Sequence, residues 1–329
     1  MIINTKNEYD ELRSILVGHA HGANWPEGDP YFDACVAKST YQGTLTRGPV
    51  PQQVIDESNQ DLDNLCEILD KHKVKVFRPN RIDFTEETLT DGITCSGMHC
   101  YSTRDLLLTY GNKIISCPFP YISRRRELEA YDFLKQEATR DGARWIDPPG
   151  YMDPGSQLPI KEQTIPVLDA ANVCKFDDRL LYLESETGNM KGAEWLQQQV
   201  GSSTEVVVWS GVYAFAHIDS TISSLNKDTI LLNASRVTPN TIPDFLRSHK
   251  KIWVEDCEPR QFHAWPYASK WIGMNLLSID PETVIVDPIQ KKLIDQLKSH
   301  KFNVIESQLR HSRTLGGGHH CVTLDLERA

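Results

Sequence analysis

One supersecondary unit recurs along the chain, and the recurrence limits the fold more than any single motif does. "DLLLTY" and "NKIISC" flank a Gly111-Asn112 turn, and "RRRELEAYDFLKQEATRDG", with helical period, and "ARWID" follow. The reading is strand, strand, helix, strand. The same order returns in "ANVCKF", "LLYLE", a helix around "MKGAEWLQQQV" and "EVVVWS". It returns again in "IDSTISSL", "TILLN", the short helical "TIPDFLRSH" and "KIWVED", and once more in "MNLLSID", "TVIVDP", "IQKKLIDQLKSH" and "FNVIES". The front of the chain supplies "RSILVGH", a long helix around "VIDESNQDLDNLCEILDKH" and "VKVFRP", with its second strand expected to be missing or replaced by the loop 22–52. None of these units can bury its apolar faces alone, so five of them predict one closed ring and a single domain over residues 1–329. A leftover strand, "CVTLDL", is expected to close that ring against the first unit.

Phase in the repeat then selects residues. Asp105 starts the first strand of the second unit, Asp169 precedes that of the third, His217 and Asp219 start that of the fourth, and Cys321 starts the closing strand. Equivalent positions in a ring face one axis at one end, which predicts a central cleft where these side chains meet. A cysteine and a histidine gathered with carboxylates make a nucleophile, an acid/base and cation-binding groups. Carboxylates around a thiol also oppose its ionisation unless His217 is protonated or a cation is bound. A guanidinium suits such a site: it is planar, rich in donors and electrophilic at its central carbon. Gly316, Gly317 and Gly318 let the backbone approach a substrate closely just before Cys321.

Taken singly, the same residues have plainer readings. Cys321 by type alone is a buried structural thiol, His217 an internal histidine, and the aspartates turn or cap residues. "RRR" at 124–126 reads as a solvated helix face. Of His319 and His320, neighbours on a strand, at most one faces the site. Their shared repeat phase is what raises the site residues above these readings.

Composition excludes other classes. The net charge of −10 is spread without a basic stripe, which argues against nucleic acid and anionic membrane as partners and for small molecules. No apolar stretch reaches the roughly 18 residues needed to span a bilayer, and "MIINTKNEYDELRS" does not read as a secretion signal, so a cytoplasmic protein is expected. The eight cysteines are accordingly expected as thiols. Cys95, His99 and Cys100 lack a companion Cys/His cluster, which argues against a metal site there.

The chain resembles the arginine amidinotransferases, the family that includes glycine amidinotransferase and inosamine-phosphate amidinotransferase. The resemblance runs through "RSILVG", "STRDLLL", "LDAANV", "LLYLESETGNMKGAEWLQ", "HIDSTI", "LLNASRV", "ASKWIGMNLL" and "LGGGHHCVTLD", nearly the whole chain. It implies a five-bladed α/β propeller of ββαβ modules with pseudo-fivefold symmetry. It also implies a Cys321, His217 and Asp169 catalytic set, Asp105 and Asp219 holding the guanidinium, and Arg236 and Ser269 receiving an acidic group of the substrate. Arginine and an acceptor amine are the implied substrates, through an amidino-cysteine, with no metal and no organic cofactor. Ala214, Phe215 and Ala216 stand where the family varies with the acceptor, and the short segment before "VLDAAN" is closer to the inosamine-phosphate type. The acceptor stays open, secondary-metabolite amines included, as does assembly into a homo-oligomer. A hydrolase of the same superfamily and a catalytically silent guanidine sensor are the competing readings.

Overall fold

The computed structural model describes residues 1–38, 41, 43–151, 159–213 and 215–329. The chain adopts an α/β fold. Among the described residues, five three-stranded sheets share one strand order: first strand antiparallel to second, second parallel to third. The second unit is Leu107–Tyr110, Lys113–Ser116 and Arg144–Ile146, and the third is Val173–Phe176, Arg179–Leu183 and Glu205–Trp209. The fourth is Ile222–Asn226, Thr229–Asn233 and Lys250–Val254; the fifth is Leu277–Asp280, Thr283–Val286 and Asn303–Glu306.

Local chemistry explains the alternation. The antiparallel pairs turn tightly at Gly111 (φ +56°) and Asp177 (φ +50°), residue types that tolerate the left-handed backbone of a short hairpin. A parallel partner needs a longer crossover, supplied by helices Gln52–Lys71, Asp132–Arg140, Met190–Val200 and Lys291–Ser299. In the fourth unit the expected helix "TIPDFLRSH" is reduced to a single 3-10 turn, Asp244–Leu246. In the second unit, too, the predicted helix is α-helical only from Asp132; Ile122–Tyr131 is 3-10.

The first unit corrects the sequence reading. Its middle strand, Leu12–Val17, is the counterpart of the second strand elsewhere, parallel to Lys75–Phe77. What the front of the chain lacks is therefore the first strand, and Thr323–Arg328 provides it, antiparallel to Leu12–Val17 with Leu16 opposite Leu324. The leftover strand does pair with the first unit, as expected. The loop 22–52, instead of replacing a strand, carries a short helix, Pro30–Val36, whose cap Asp29 also accepts from the backbone N and Oγ of Ser123.

The five sheets are not hydrogen-bonded into one closed sheet; apolar side chains join them. In Arg179–Leu183, Leu180 and Tyr182 pack against Leu108 and Ile115 of the second unit, while Leu181 and Leu183 pack against Ile230 and Leu232 of the fourth. Strand side chains alternate between faces, and both faces here are buried, hence the nearly continuous apolar run. Leu231 meets Val284 and Val286, Ile285 and Leu277 meet Ile15 and Val17, and Leu16 and Leu324 meet Leu107 and Ile114. Each fully buried leucine contributes roughly 1.5–3 kcal/mol, so the contacts between sheets carry much of the fold.

Candidate active site

The residues that share a repeat phase lie in turns just ahead of the strands, a small shift from the positions read on the sequence. Asp105 precedes Leu107–Tyr110, and Cys321 lies in the turn before Thr323–Arg328. Asp169 caps the turn Ala170–Asn172 that runs into Val173–Phe176, and His217 and Asp219 precede Ile222–Asn226. A turn leaves the side chain free of the sheet's pleat, so residues of four units can point into one space.

Asp169 fulfils both of its readings. Oδ1 accepts from the backbone N of Ala171 at 3.1 Å, and Oδ2 accepts from His217 Nε2 at 2.9 Å. His217 has a φ of +59°, uncommon for a residue with a β-carbon, and its own N donates to Asn172 Oδ1 at 3.0 Å. Its Nδ1 lies 3.9 Å from Asp105 Oδ1. Burial disfavours a charged ring, but Asp169 and then Asp105 outweigh it and push the His217 pKa up to about 10. A raised pKa favours the protonated ring, one of the two conditions for thiolate formation read from the sequence, the other being a bound cation.

Asp105 is buried and divided in function. Oδ2 accepts from Arg124 Nη1 at 2.7 Å, whereas Oδ1 is buried with no hydrogen-bond partner among the described residues. Arg124 is itself buried, fastened to Glu127 through Nε at 2.8 Å and Nη2 at 2.9 Å. The reading of "RRR" as a solvated face therefore fails at its first arginine, whose charge compensates two interior carboxylates. Asp105, Asp169 and His217 approach within 4.8 Å of one another. A divalent cation could sit among them only by competing with the His217 and Arg124 bonds already formed.

Cys321 is 1% exposed. Its Sγ donates to Asp219 Oδ2 at 3.1 Å and accepts from Asn275 Nδ2 at 3.2 Å. Burial, then Asp219 and Asp105, push the thiol pKa well above its ordinary value. The same Asp219 oxygen accepts from His320 Nδ1 at 3.1 Å; despite burial, His320 and then His217 hold Asp219 well below the usual carboxylate range. Of the paired histidines only His320 faces this cluster; burial leaves the His319 ring with its pKa lowered to about 4. The two lie in a turn, so the selection comes from turn geometry and not from strand alternation.

The glycines act locally. Gly316 adopts φ +80° at the end of the short helix Ser312–Leu315. A β-carbon on Gly317 would fall 2.7 Å from Ser102 Oγ and 3.2 Å from Cys321 Cβ, and one on Gly318 would fall 2.7 Å from Asn275 Oδ1. Neither position has room for a side chain.

The remaining predicted residues lie further out. Arg236 is anchored through Nη1 to Ser220 O, Ser220 Oγ and Thr221 Oγ1 at 2.8–2.9 Å, with its guanidinium 3.5 Å from the centre of the Tyr213 ring. Ser269 opens the turn Lys270–Met274 with its side chain exposed. Phe215 and Ala216 are half-buried beside His217, and Phe215 O accepts from Glu186 N at 2.9 Å. Ala214 lies outside the described residues. Arg124 and Asn275 were missed on the sequence, though Asn275 ends the stretch "SKWIGMN". All eight cysteines are free thiols, and among the described residues no helix is long and apolar enough to cross a membrane.

The chain is similar to known proteins over nearly its full length. It is 39% identical to inosamine-phosphate amidinotransferase 1 of Streptomyces glaucescens over 99% of this chain and 97% of that protein. The L-arginine:L-lysine amidinotransferase of Pseudomonas savastanoi pv. phaseolicola is 29% identical, covering 98% and 93% respectively. The solved structure of the inosamine-phosphate amidinotransferase of Streptomyces griseus superposes with a TM-score of 0.94 at 39% identity, covering 99% of this chain and 97% of that one. No protein-family model matches.

Proposed function

The chain belongs to the amidinotransferase family, and from that premise we propose that it carries the amidino group of L-arginine to an acceptor amine through a covalent adduct on Cys321. The observation that carries this reading is a thiol and an imidazole gathered with three carboxylates, one oxygen of which, Asp105 Oδ1, is buried without a hydrogen bond among the described residues. A guanidinium entering between Asp105 and Asp219 satisfies that oxygen. Its positive charge also offsets the carboxylates that hold the thiol protonated.

With the guanidinium bound, Cys321 gives up its proton to solvent and its Sγ, as thiolate, forms a bond to the guanidinium carbon. The bond from that carbon to the side-chain nitrogen of arginine breaks as His217 delivers a proton to that nitrogen, and ornithine leaves. Asp169 keeps the ring of His217 oriented throughout. The acceptor amine then attacks the amidino carbon, His217 takes its proton, the carbon–sulfur bond breaks, and the thiolate returns. Arg236, stiffened by Tyr213, and Ser269 are the proposed receivers of an acidic group on either substrate. Ala214, Phe215 and Ala216 shape the acceptor side.

We further assign residues 1–329 to one domain in which the five units are the blades of a propeller with pseudo-fivefold symmetry. Two observations support this: the common strand order, and apolar packing that runs from unit to unit and from the fifth back to the first.

The test is incubation with arginine, alone and with amines such as an inosamine phosphate, lysine, glycine and ethanolamine, with ornithine and citrulline assayed separately. Multiple turnovers to ornithine that require one amine establish the transfer and name the acceptor. Citrulline without any amine makes the protein a hydrolase and removes the acceptor half of the proposal.

A further inference from the structure

We propose that His320, held as an imidazolium between Glu8 and Asp219, is a positioning residue that provides the counter-charge against which Cys321 ionises. The inference deepens the reading of Cys321 as the nucleophile and rests on it.

Asp219 Oδ2 is the hinge of the argument. It lies 3.1 Å from Cys321 Sγ and 3.1 Å from His320 Nδ1, while His320 Nε2, which makes no hydrogen bond among the described residues, lies 3.4 Å from Glu8 Oε2, within ion-pair range. A neutral imidazole carries one proton and can turn it toward one carboxylate; with Asp219 hydrogen-bonded at Nδ1 and Glu8 within ion-pair range of Nε2, the doubly protonated ring is the form that turns a proton toward both. His217, the other imidazole of the site, has Nε2 committed to Asp169. The carboxylate oxygen that touches the thiol is therefore the one that His320 neutralises. Without that charge, Asp219 would set its full repulsion against a thiolate 3.1 Å away.

Glu8 reaches this position from the N-terminal segment, which is fixed by several bonds. Asn7 Nδ2 donates to Asp177 at 2.7 Å, Tyr9 donates to the same carboxylate at 2.8 Å, and Asn4 N donates to Leu326 O at 2.9 Å. The other charged groups around His320 come from every neighbouring unit. Arg104 lies 4.0 Å from Glu8 and donates through Nε to His320 O at 2.9 Å; Asp325 and Lys175 form the layer behind it. Burial and Arg104 disfavour a charged ring, yet Glu8 and Asp219 prevail and raise the pKa of His320. Glu8 is in turn held down to about 2 against its burial, first by His320.

The test compares native protein with His320→Gln and Glu8→Gln, measuring the rate at which iodoacetamide modifies Cys321 at one fixed, mildly alkaline pH. Modification is read on the peptide that contains Cys321, and arginine kinetics and thermal unfolding are recorded for each variant. Loss of the counter-charge predicts alkylation about tenfold slower in His320→Gln and about threefold slower in Glu8→Gln. It also predicts a lower kcat with an arginine KM that is unchanged or lower, because Asp219 keeps its charge for the guanidinium. A purely structural role predicts the opposite sign: a loosened turn exposes the thiol and speeds its alkylation. An unchanged or faster rate in either folded variant overturns the proposal, and Glu8→Gln decides alone if His320→Gln does not fold. Turnover retained by Cys321→Ala would overturn the nucleophile assignment instead, while the alkylation comparison stays readable.

Discussion

Asn275 and Cys321 are joined twice: Asn275 Nδ2 donates to the Cys321 sulfur at 3.2 Å, and its Oδ1 accepts from the Cys321 backbone N at 3.1 Å. The same Oδ1 accepts from His320 N at 2.9 Å, and the Asn275 carbonyl accepts from His319 N at 3.0 Å. One side chain thus fixes the turn that presents the thiol and gives a developing thiolate a donor. Asn275→Ala is expected to lose about 1–3 kcal/mol of stability through unsatisfied buried donors. Asn275→Asp keeps the acceptor but replaces the donor with a carboxylate, so kcat should fall further than in Asn275→Ala. Denaturant unfolding and steady-state kinetics on the two variants check this.

Cys321→Ala should abolish turnover, by about three orders of magnitude or more, while cooperative unfolding and some arginine binding persist. Calorimetric binding of arginine beside an ornithine assay separates the two effects.

Asp169→Asn should lower the rate by roughly two or more orders of magnitude, as expected when the carboxylate that orients a catalytic histidine is lost. It should also change the pH dependence of stability. The folded-state pKa of His217 is raised to about 10 from the ordinary 6.5, so the proton it retains stabilises the fold in full below pH 6.5; that contribution is lost as pH rises through 10. In Asp169→Asn the loss should still begin near pH 6.5, but it should be smaller and complete at lower pH. Thermal melts across this range, together with an NMR titration of His217, give the comparison.

Arg124→Leu should destabilise the protein by about 3–5 kcal/mol, because Asp105 and Glu127 would remain buried without their cation. Urea unfolding measures the loss. Pairing the change with Glu127→Leu should recover part of it, which a simple packing defect would not.

How far the sequence could be read depended on whether a feature is local. The strands and most helices were legible because alternating and helical periods appear in neighbouring residues; Met190–Val200 is bounded as the sequence suggested. The site was legible because Asp105, Asp169, His217, Asp219 and Cys321 keep one phase in the repeat. Arg124 was not, since nothing in "RRR" tells that its first guanidinium turns inward to a carboxylate on another element. Glu8 carries no repeat phase at all, and its partner His320 is remote in sequence. The missing strand of the first unit was misassigned for a related reason: antiparallel and parallel neighbours of Leu12–Val17 cannot be distinguished until Thr323–Arg328 is in place.

The pairing of Thr323–Arg328 with Leu12–Val17 also sets a timetable for synthesis. Folding on the ribosome proceeds from the leading end, yet the first sheet must wait, with one edge open, until the other four units have been made. Four units can assemble during translation, whereas the first gains its last strand only after release of the segment that also carries Cys321. A chain that stops short of Cys321 therefore holds neither a complete first sheet nor that thiol.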